Sequence, residues 1–301
     1  MAVVDEPNPT AARREVALAF RTLREQRGRG LPELARFLKV SEVQASRLDR
    51  GVRGMRLEDV RRLARWYELP DGERDRLLEL AAESRRRSWW QQVDLGDETY
   101  RTLIGMEQAA ESIGEYGNGV VPGLLQTPAY ARAAVSGGAL NASPDEVERA
   151  VEVRIRRQEI LDREDPSRLW VVIDEAVLAR VTGGSDVMRA QLEHLVAMAD
   201  RPTITVQVLA FDYGAHPGGN SHFILVDTGG GLPDLVYVEG LRGRAEFTSK
   251  ADTGRYREVW DVLRSIALSP RESREMLAHY AASYAADSRH PGEPVEEEQR
   301  R

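Results

Sequence analysis

Residues 34–51, LARFLKVSEVQASRLDRG, constrain the fold of this chain more than any other stretch. Two apolar runs at helical spacing, one ending at Leu38 and one holding Ala45 and Leu48, are separated by a short polar break. Ser41 and Gln44 have the spacing of a capping box, which marks the start of a helix. Two short helices joined by a tight turn, the second opened by its own cap, predict a helix-turn-helix.

The second helix of such a motif is the one that enters the major groove of DNA. We therefore predict a sequence-specific DNA-binding regulator of transcription that places the helix at about residues 41–49 in double-stranded DNA. Arg47 would bond guanine, Glu42 would accept from cytosine, and Val43 would meet a thymine methyl group. The predicted base contacts are Glu42, Val43, Ser46 and Arg47, and the predicted phosphate contacts are Lys39, Arg50, Arg53 and Arg56.

The charge is divided unevenly along the chain. Residues 13–87 hold 20 basic and 13 acidic residues, a net charge of +7, although the whole chain has a net charge of −7. The remainder therefore carries −14. A basic N-terminal part joined to an acidic remainder is typical of a protein in which one domain meets phosphates and the other does not.

The predicted fold class is an N-terminal all-α helix-turn-helix bundle of five short helices, followed by a larger α+β domain with a small mixed sheet and two C-terminal helices. The bundle helices are expected from Val16 to the glycines at 27–30, at 31–38, 41–49 and 57–67, and from Pro70. The predicted segments are a flexible arm at 1–11, the helix-turn-helix domain at 12–84, a linker at 85–92, the α+β domain at 93–286 and a disordered tail at 287–301.

Apolar periodicity and capping residues divide the second domain into further elements. Helices are predicted at 98–113, 128–135, 144–161, 186–199, 252–266 and 270–285, and strands at 169–173, 203–209, 223–226 and 235–238. In the linker, the paired Trp89 and Trp90 have two interpretations. They dock the linker onto the second domain, or they form a hinge through which the binding of a ligand or partner affects the DNA-binding domain.

Composition excludes several classes of function. The chain has no Cys, which excludes disulfides and thiolate metal sites, and it has no long apolar run. We expect a cytoplasmic protein with no signal peptide, no membrane segment, no metal and no cofactor. The consecutive Asp174 and Glu175 at a strand end are either an acid/base pair or, as is more common, a cap for the next helix. With no other catalytic constellation, an enzyme is not predicted.

The second domain offers two candidate interaction surfaces. Residues 121–130, VPGLLQTPAY, either pack under the sheet or line a groove for a small molecule or peptide, with Tyr116, Tyr130, His216 and Glu239 as its polar groups. Reading two half-sites would need a homodimer. The C-terminal helices supply either that dimer interface or part of the core, through Trp260, Leu263, Met276 and Tyr280.

Residues 13–67 resemble the Cro/repressor (XRE) type of helix-turn-helix, in LARFLKVS, in the SRL of the second helix and in the following Gly51. Two departures from that type concern backbone positions. Lys39 stands where a left-handed Gly is common, so either the Lys is left-handed at a cost of about 1 kcal/mol or the turn differs. Leu31 and Pro32 replace a Gln that often contacts phosphate, which removes one expected contact.

The rest of the chain resembles the actinobacterial WhiJ-like, antitoxin-like transcriptional regulators. The resemblance covers nearly all of residues 89–270 and is carried by VVPGLLQTPAYARA, RRQEIL, LWVVIDEAVL, MRAQLEHL, ITVQVL, GAHPG and LVYVEG. It implies a regulator, often encoded beside a small partner protein that it binds, and it implies no catalytic residues. The alternative that it leaves open is an antitoxin-like adaptor that mainly sequesters this small partner.

Overall fold

The structure, a computed structural model, describes residues 7–93, 97–139, 142–219, 221–230, 232–240 and 243–287. Its internal contacts divide the chain into two compact units. The head comprises residues 1–111 together with 226–235, and the body comprises residues 112–225 together with 236–301. A helical N-terminal region, followed by a domain with a six-stranded sheet and C-terminal helices, confirms the predicted fold class.

Seven helices lie in the described part of the head. They are α1 (Pro9–Gln26), α2 (Leu31–Leu38), α3 (Glu42–Asp49), α4 (Leu57–Trp66), α5 (Asp71–Glu83), α6 (Trp89–Gln92) and α7 (Glu98–Glu107). The side chain of Asn8 accepts a hydrogen bond from the amide of Ala11, and Pro9 occupies the first helical position, where its missing N–H is not needed. Of the predicted arm, residues 9–11 thus lie in α1, and residues 1–6 lie outside the described residues.

The core of the head collects the apolar faces of its first five helices. Its fully buried members from α1 to α5 are Val16, Phe20, Leu34, Ala35, Leu38, Ala45, Leu48, Val60, Leu63, Tyr67, Leu77 and Ala81. Ala35 and Ala45 permit the close approach of α2 and α3, because a larger side chain at either position would separate the helices. The periodicity of the sequence thus accounts for which face of each helix is buried.

The predicted linker, residues 85–92, contains α6, and α7 follows it. Both tryptophans of α6 are buried and meet edge to face, with ring centroids 5.7 Å apart. Helix α7 packs against α1: the Asn8 side chain donates to the carbonyl of Gly105 at 2.7 Å. A Cβ at Gly105 would lie 2.4 Å from the Thr10 side chain, so glycine is required for this close approach.

The sheet has the strand order β3-β2-β1-β4-β5-β6. Its strands are β1 (Ser112–Gly117), β2 (Arg168–Asp174), β3 (Ile204–Leu209), β4 (Phe223–Asp227), β5 (Leu235–Gly240) and β6 (Gly243–Phe247). Strands β1, β2 and β3 are parallel neighbours, whereas β5 and β6 are antiparallel. The helices of the body are α8 (Pro128–Gly138), α9 (Pro144–Arg157), α10 (Glu175–Ala179), α11 (Ser185–Met198), α12 (Lys250–Ile266) and α13 (Pro270–Asp287).

Most of the predicted elements of the second domain are confirmed, and one is partly wrong. The predicted helix at 98–113 ends at Glu107 as α7, and β1 begins at Ser112. Strand β6 was not predicted. No helix in the described part of the chain has both the length and the apolar character needed to cross a membrane.

Candidate nucleic-acid interface

Helix α3 begins with the predicted capping box. The Gln44 amide donates to Ser41 Oγ at 3.2 Å, and the Ser41 amide donates to Gln44 Oε1 at 3.3 Å. Each bond satisfies an amide at the helix N-terminus that has no partner within the helix. The start of α3 is therefore fixed by its own sequence, independently of what the helix packs against.

The face of α3 opposite to the core carries the residues predicted to contact bases. Glu42, Val43 and Arg47 are exposed and Ser46 is half-buried, whereas Ala45 and Leu48 point into the core. Val43 is 64% exposed, so its apolar surface is free to contact a partner. The four predicted residues thus lie on the side of α3 that faces away from the core, with Glu42 and Val43 in its first turn and Ser46 and Arg47 further along the helix.

An ion pair that the sequence analysis missed holds the other end of α3. Arg24 on α1 donates from Nε and Nη2 to the two carboxylate oxygens of Asp49, at 2.8 and 3.0 Å, and both side chains are buried. The Arg24 Nη1 also donates to the carbonyl of Arg29. The hydrogen bond and the charge of Asp49 raise the pKa of the Arg24 guanidinium above its ordinary value, against the effect of burial. Two parallel bonds between planar groups fix the orientation of α3 on α1.

The turn between α2 and α3 resolves the two possibilities at Lys39. Lys39 has φ 56° and ψ 46°, so it is left-handed. The amide of Val40 donates to the carbonyl of Ala35, which closes the end of α2. Helix α2 itself begins after Gly30 without a capping side chain. A left-handed lysine thus occupies an exposed position directly before α3.

The arginines that follow α3 differ in their surroundings. Arg53 is exposed, and Arg50 Nε donates only to the carbonyl of Ser46. Arg56 Nε donates to Asp59 Oδ2 at 2.9 Å, although the Arg56 side chain remains 68% exposed. Asp59 is buried and also lies within 3.6 Å of Arg62. Of the four predicted phosphate contacts, Arg56 is thus the one already held by a carboxylate among the described residues.

A hollow of about 250 Å³ lies beside α3 in the head. It is lined by Val40, Gln44, Leu48, Arg53, Gly54, Arg56 and Asp59. Its lining includes two arginines and the carboxylate of Asp59, which pairs with Arg56. Both α3 and the loop at residues 51–56 thus contribute to the hollow.

The predicted groove residues of the body do not come together. Tyr116 and His216 meet at Asp174, whose Oδ2 accepts from the Tyr116 hydroxyl at 3.2 Å and lies 3.6 Å from His216 Nε2. Tyr130 is fully buried and its hydroxyl accepts from the Val121 amide, while Glu239 pairs with Arg244 on the sheet surface. In the segment 121–130, Val121, Leu124 and Leu125 are buried, whereas Pro128 and Ala129 are exposed.

Other residues singled out in the body have structural partners. Asp174 Oδ1 accepts from the Ala176 amide and caps α10, and Glu175 accepts from the Phe211 amide and the Tyr280 hydroxyl. Trp260 and Leu263 belong to the core against the sheet. Met276 and Tyr280 line a shallow hollow of about 490 Å³ on α13. Among the described residues no group of three or more acidic or histidine side chains is placed to hold a metal.

Two stretches of the chain match known families. Residues 15–77 match the family model described as a helix-turn-helix domain, which confirms the predicted motif. Residues 100–279, more than half of the chain, match the family model described as a domain of unknown function (DUF5753). Neither the curated proteins nor the solved structures gave a match.

Proposed function

Because the chain belongs to the DUF5753 family and has a helix-turn-helix domain ahead of that region, we propose that it is a sequence-specific DNA-binding regulator of transcription. The observation that carries the proposal is α3: one face is anchored in the core, and the other presents Glu42, Val43, Ser46 and Arg47 to solvent. A helix of this kind fits the major groove, which is wide enough to admit it.

The four exposed groups have complementary chemistry for base edges. Arg47 offers two parallel donors to guanine, and Glu42 offers an acceptor to cytosine. Val43 gains by burying its exposed apolar surface against a thymine methyl group, because removing apolar area from water is favourable. Lys39, Arg50, Arg53 and Arg56 surround this face and would contact phosphates, which position the helix without reading sequence.

A dimer completes the proposal. One α3 presents about four side chains and therefore reads only a short half-site, which is too little to select one site in a genome. Two copies reading half-sites one helical turn apart, about 34 Å, would double the number of base contacts. The resemblance to WhiJ-like regulators implies a small partner protein as well, and we infer that the acidic remainder of the chain binds it.

Substitution of Arg47 tests the proposal. Duplexes retained by the purified full-length protein would be selected from a random library, and binding to a selected and an unrelated duplex would then be titrated. Arg47→Ala should weaken binding to the selected duplex by about 1–3 kcal/mol and relax the preference at one base pair. Arg53→Ala is the matched control and should weaken binding to both duplexes alike, with a salt slope lower by about 0.9. Equal losses on both duplexes for Arg47→Ala would refute the base contact.

A further inference from the structure

The segment Arg85–Arg87 is held at both of its ends. Before it, α5 is closed by Ser84, whose amide donates to the carbonyl of Leu80 and whose hydroxyl donates to the carbonyl of Ala81. After it, Ser88 is buried and donates to the carbonyl of Pro7, and the buried tryptophans of α6 follow. The backbone that carries the three arginines is therefore ordered by its neighbours, without help from the arginine side chains.

The three guanidinium groups are exposed, and none has a hydrogen-bond or ion-pair partner in the described part of the chain. Some other arginines of the head are paired with carboxylates, as Arg24 is with Asp49, Arg74 with Asp71 and Arg76 with Glu73, but they are not adjacent in the sequence. Three adjacent like charges repel one another, so an uncompensated run of this kind costs free energy in the isolated protein. An anionic partner would recover that cost.

The run begins beside the loop that carries the predicted phosphate contacts. A Cβ on Gly54 would lie 3.6 Å from Ser84 Oγ, so the end of α5 touches the loop at residues 51–56. Gly54 itself lines the hollow next to α3, together with Arg53 and Arg56. The arginine run thus starts within one side-chain length of the surface that faces DNA in the proposed function.

We propose that Arg85–Arg87 form a second phosphate-binding element that follows the DNA backbone outside the segment read by α3. This inference rests on the proposed function, since it takes the same duplex as its ligand. The guanidinium groups supply donors in a planar fork that matches phosphate oxygens. The contacts lengthen the bound segment and are independent of base sequence.

A structural role for the run is the competing explanation. Cations after the last turn of a helix interact favourably with its C-terminus, and the last turn of α5 has no basic residue of its own. That effect falls off within one turn, so it accounts for one arginine but not for three exposed ones. It also predicts a loss of stability rather than a loss of DNA affinity when the charges are removed.

The test compares Arg85→Gln/Arg86→Gln/Arg87→Gln with the unmodified full-length protein on one selected and one unrelated duplex of about 40 base pairs, roughly four helical turns. Salt is varied from about 0.1 to about 0.3 M, where charges distant from the DNA are screened. We expect affinity for both duplexes to fall at least about tenfold and the salt slope to fall by about 2–3 for each bound protomer, at 0.9 for each lost phosphate contact. The protected footprint should shorten at the edge of each half-site.

Two further variants separate the explanations. The lysine triple Arg85→Lys/Arg86→Lys/Arg87→Lys keeps the charge and should retain most of the slope. Arg189→Gln/Arg255→Gln/Arg271→Gln removes the same charge from exposed positions of the body and should leave the slope unchanged. A glutamine triple with an unchanged slope, or a lysine triple as weak as the glutamine one, overturns the inference.

Failure of the proposed function gives a different result. If the unmodified protein binds no duplex at low ionic strength, the regulator proposal fails, and this inference fails with it. If the unmodified protein binds and Arg47→Ala loses specificity while the glutamine triple keeps its slope, only the second phosphate-binding element is refuted. Thermal unfolding of each variant shows whether the head remains folded. If the glutamine triple unfolds, the single variants Arg85→Gln, Arg86→Gln and Arg87→Gln decide: each should lower the salt slope by about 0.9 per protomer, and three unchanged slopes overturn the inference.

Discussion

Asp49 lies at the C-terminal end of α3, where the helix dipole disfavours a carboxylate. The bidentate bond with Arg24 offsets this cost and that of burying the charge. Because the pair is formed between residues 25 positions apart, no local pattern reveals it. The only signal in the sequence is the misplaced carboxylate itself, which indicates that some cation compensates it.

Removing one partner should therefore cost more than removing both. Asp49→Asn leaves the buried Arg24 guanidinium with only the exposed Glu25 as a carboxylate partner, and we expect a loss of roughly 3 kcal/mol in the free energy of unfolding. The double variant Arg24→Met/Asp49→Leu replaces the pair by apolar groups and should lose less. Urea unfolding of the single and double variants measures the difference. A double variant less stable than either single variant would contradict this account.

The pair formed by His222 and Glu115 makes the stability of the body depend on pH. His222 Nε2 lies 3.0 Å from Oε1 of Glu115, and the Glu115 side chain is almost completely buried. Burial alone would lower the pKa of His222, but the hydrogen bond and charge of Glu115, with the more distant Glu239, outweigh both burial and Arg154, and the pKa is raised. The imidazolium thus stabilises the folded state.

Because the pKa of His222 is higher in the folded state than in the unfolded state, the direction in which stability changes with pH follows. The stabilisation is fully present below the unfolded pKa of about 6.5 and is lost as pH rises through the higher folded value. Amide hydrogen exchange of β1 should show a loss of at most about 1.4 kcal/mol per pH unit in that window, and His222→Gln should abolish it. Burial lowers the pKa of His194, so this residue gives the stability of the body the opposite dependence on pH. The unmodified protein and His222→Gln share that contribution, and the difference between them is due to His222. Identical pH profiles for the two would contradict the assignment.

At the scale of the elements, local signals located most helices correctly. The capping boxes of α3 and α9 are both present, because a cap depends only on residues within one turn. Strand β1 was missed because SIGEYG contains two glycines and a glutamate, which have low strand propensity. Its place in the sheet comes from tertiary contacts: a Cβ at Gly114 would lie 2.9 Å from the Trp260 ring.

The candidate interface also has some features that the sequence predicts and others that depend on tertiary structure. The positions of Glu42, Val43 and Arg47 on the exposed face of α3 follow from helical periodicity, so the sequence was sufficient to find them. The engagement of Arg56 by the buried Asp59 depends on rotamers at the start of α4, which periodicity does not specify. In the body, burial of Tyr130 against Val121 is likewise a tertiary result.

The turn between α2 and α3 gives a prediction in which stability and affinity change in opposite directions. Lys39→Gly removes the strain of a left-handed side chain, and the free energy of unfolding should rise by roughly 0.5–1 kcal/mol. It also removes a cation next to the recognition surface, so the salt slope of DNA binding should fall by about 0.9. Urea unfolding and salt titrations measure the two effects.

Glu68, which is also left-handed and follows α4, provides the matched control for this turn. Glu68→Gly relieves the same kind of strain without removing a cation. It should stabilise the head by a similar amount and leave the salt slope unchanged. A Lys39→Gly protein with an undiminished slope would show that Lys39 is not a phosphate contact.

At the scale of the whole molecule, the head and the acidic remainder of the chain have opposite effects on DNA. The excess of +7 in residues 13–87 attracts phosphates, and the −14 carried by the rest repels them. Repulsion from exposed charges acts over a Debye length, about 30 Å at 0.01 M salt and about 8 Å at 0.15 M. The acidic remainder should therefore weaken binding to unrelated DNA mainly at low ionic strength, and this favours selected sites because their base contacts are not screened.

Neutralising exposed acids of the body tests this argument. Asp186, Glu258 and Glu275 lie on α11, α12 and α13 and form only exposed surface pairs, which contribute little to stability. Asp186→Asn/Glu258→Gln/Glu275→Gln should bind an unrelated duplex severalfold more tightly at about 0.01 M salt and equally at about 0.15 M. The variant Arg189→Gln/Arg255→Gln/Arg271→Gln, which instead neutralises the partners of these acids, should bind the unrelated duplex more weakly at about 0.01 M salt. If both triples match the unmodified protein at about 0.01 M, the charge of the body has no part in selectivity, and the base contacts of α3 alone must supply it.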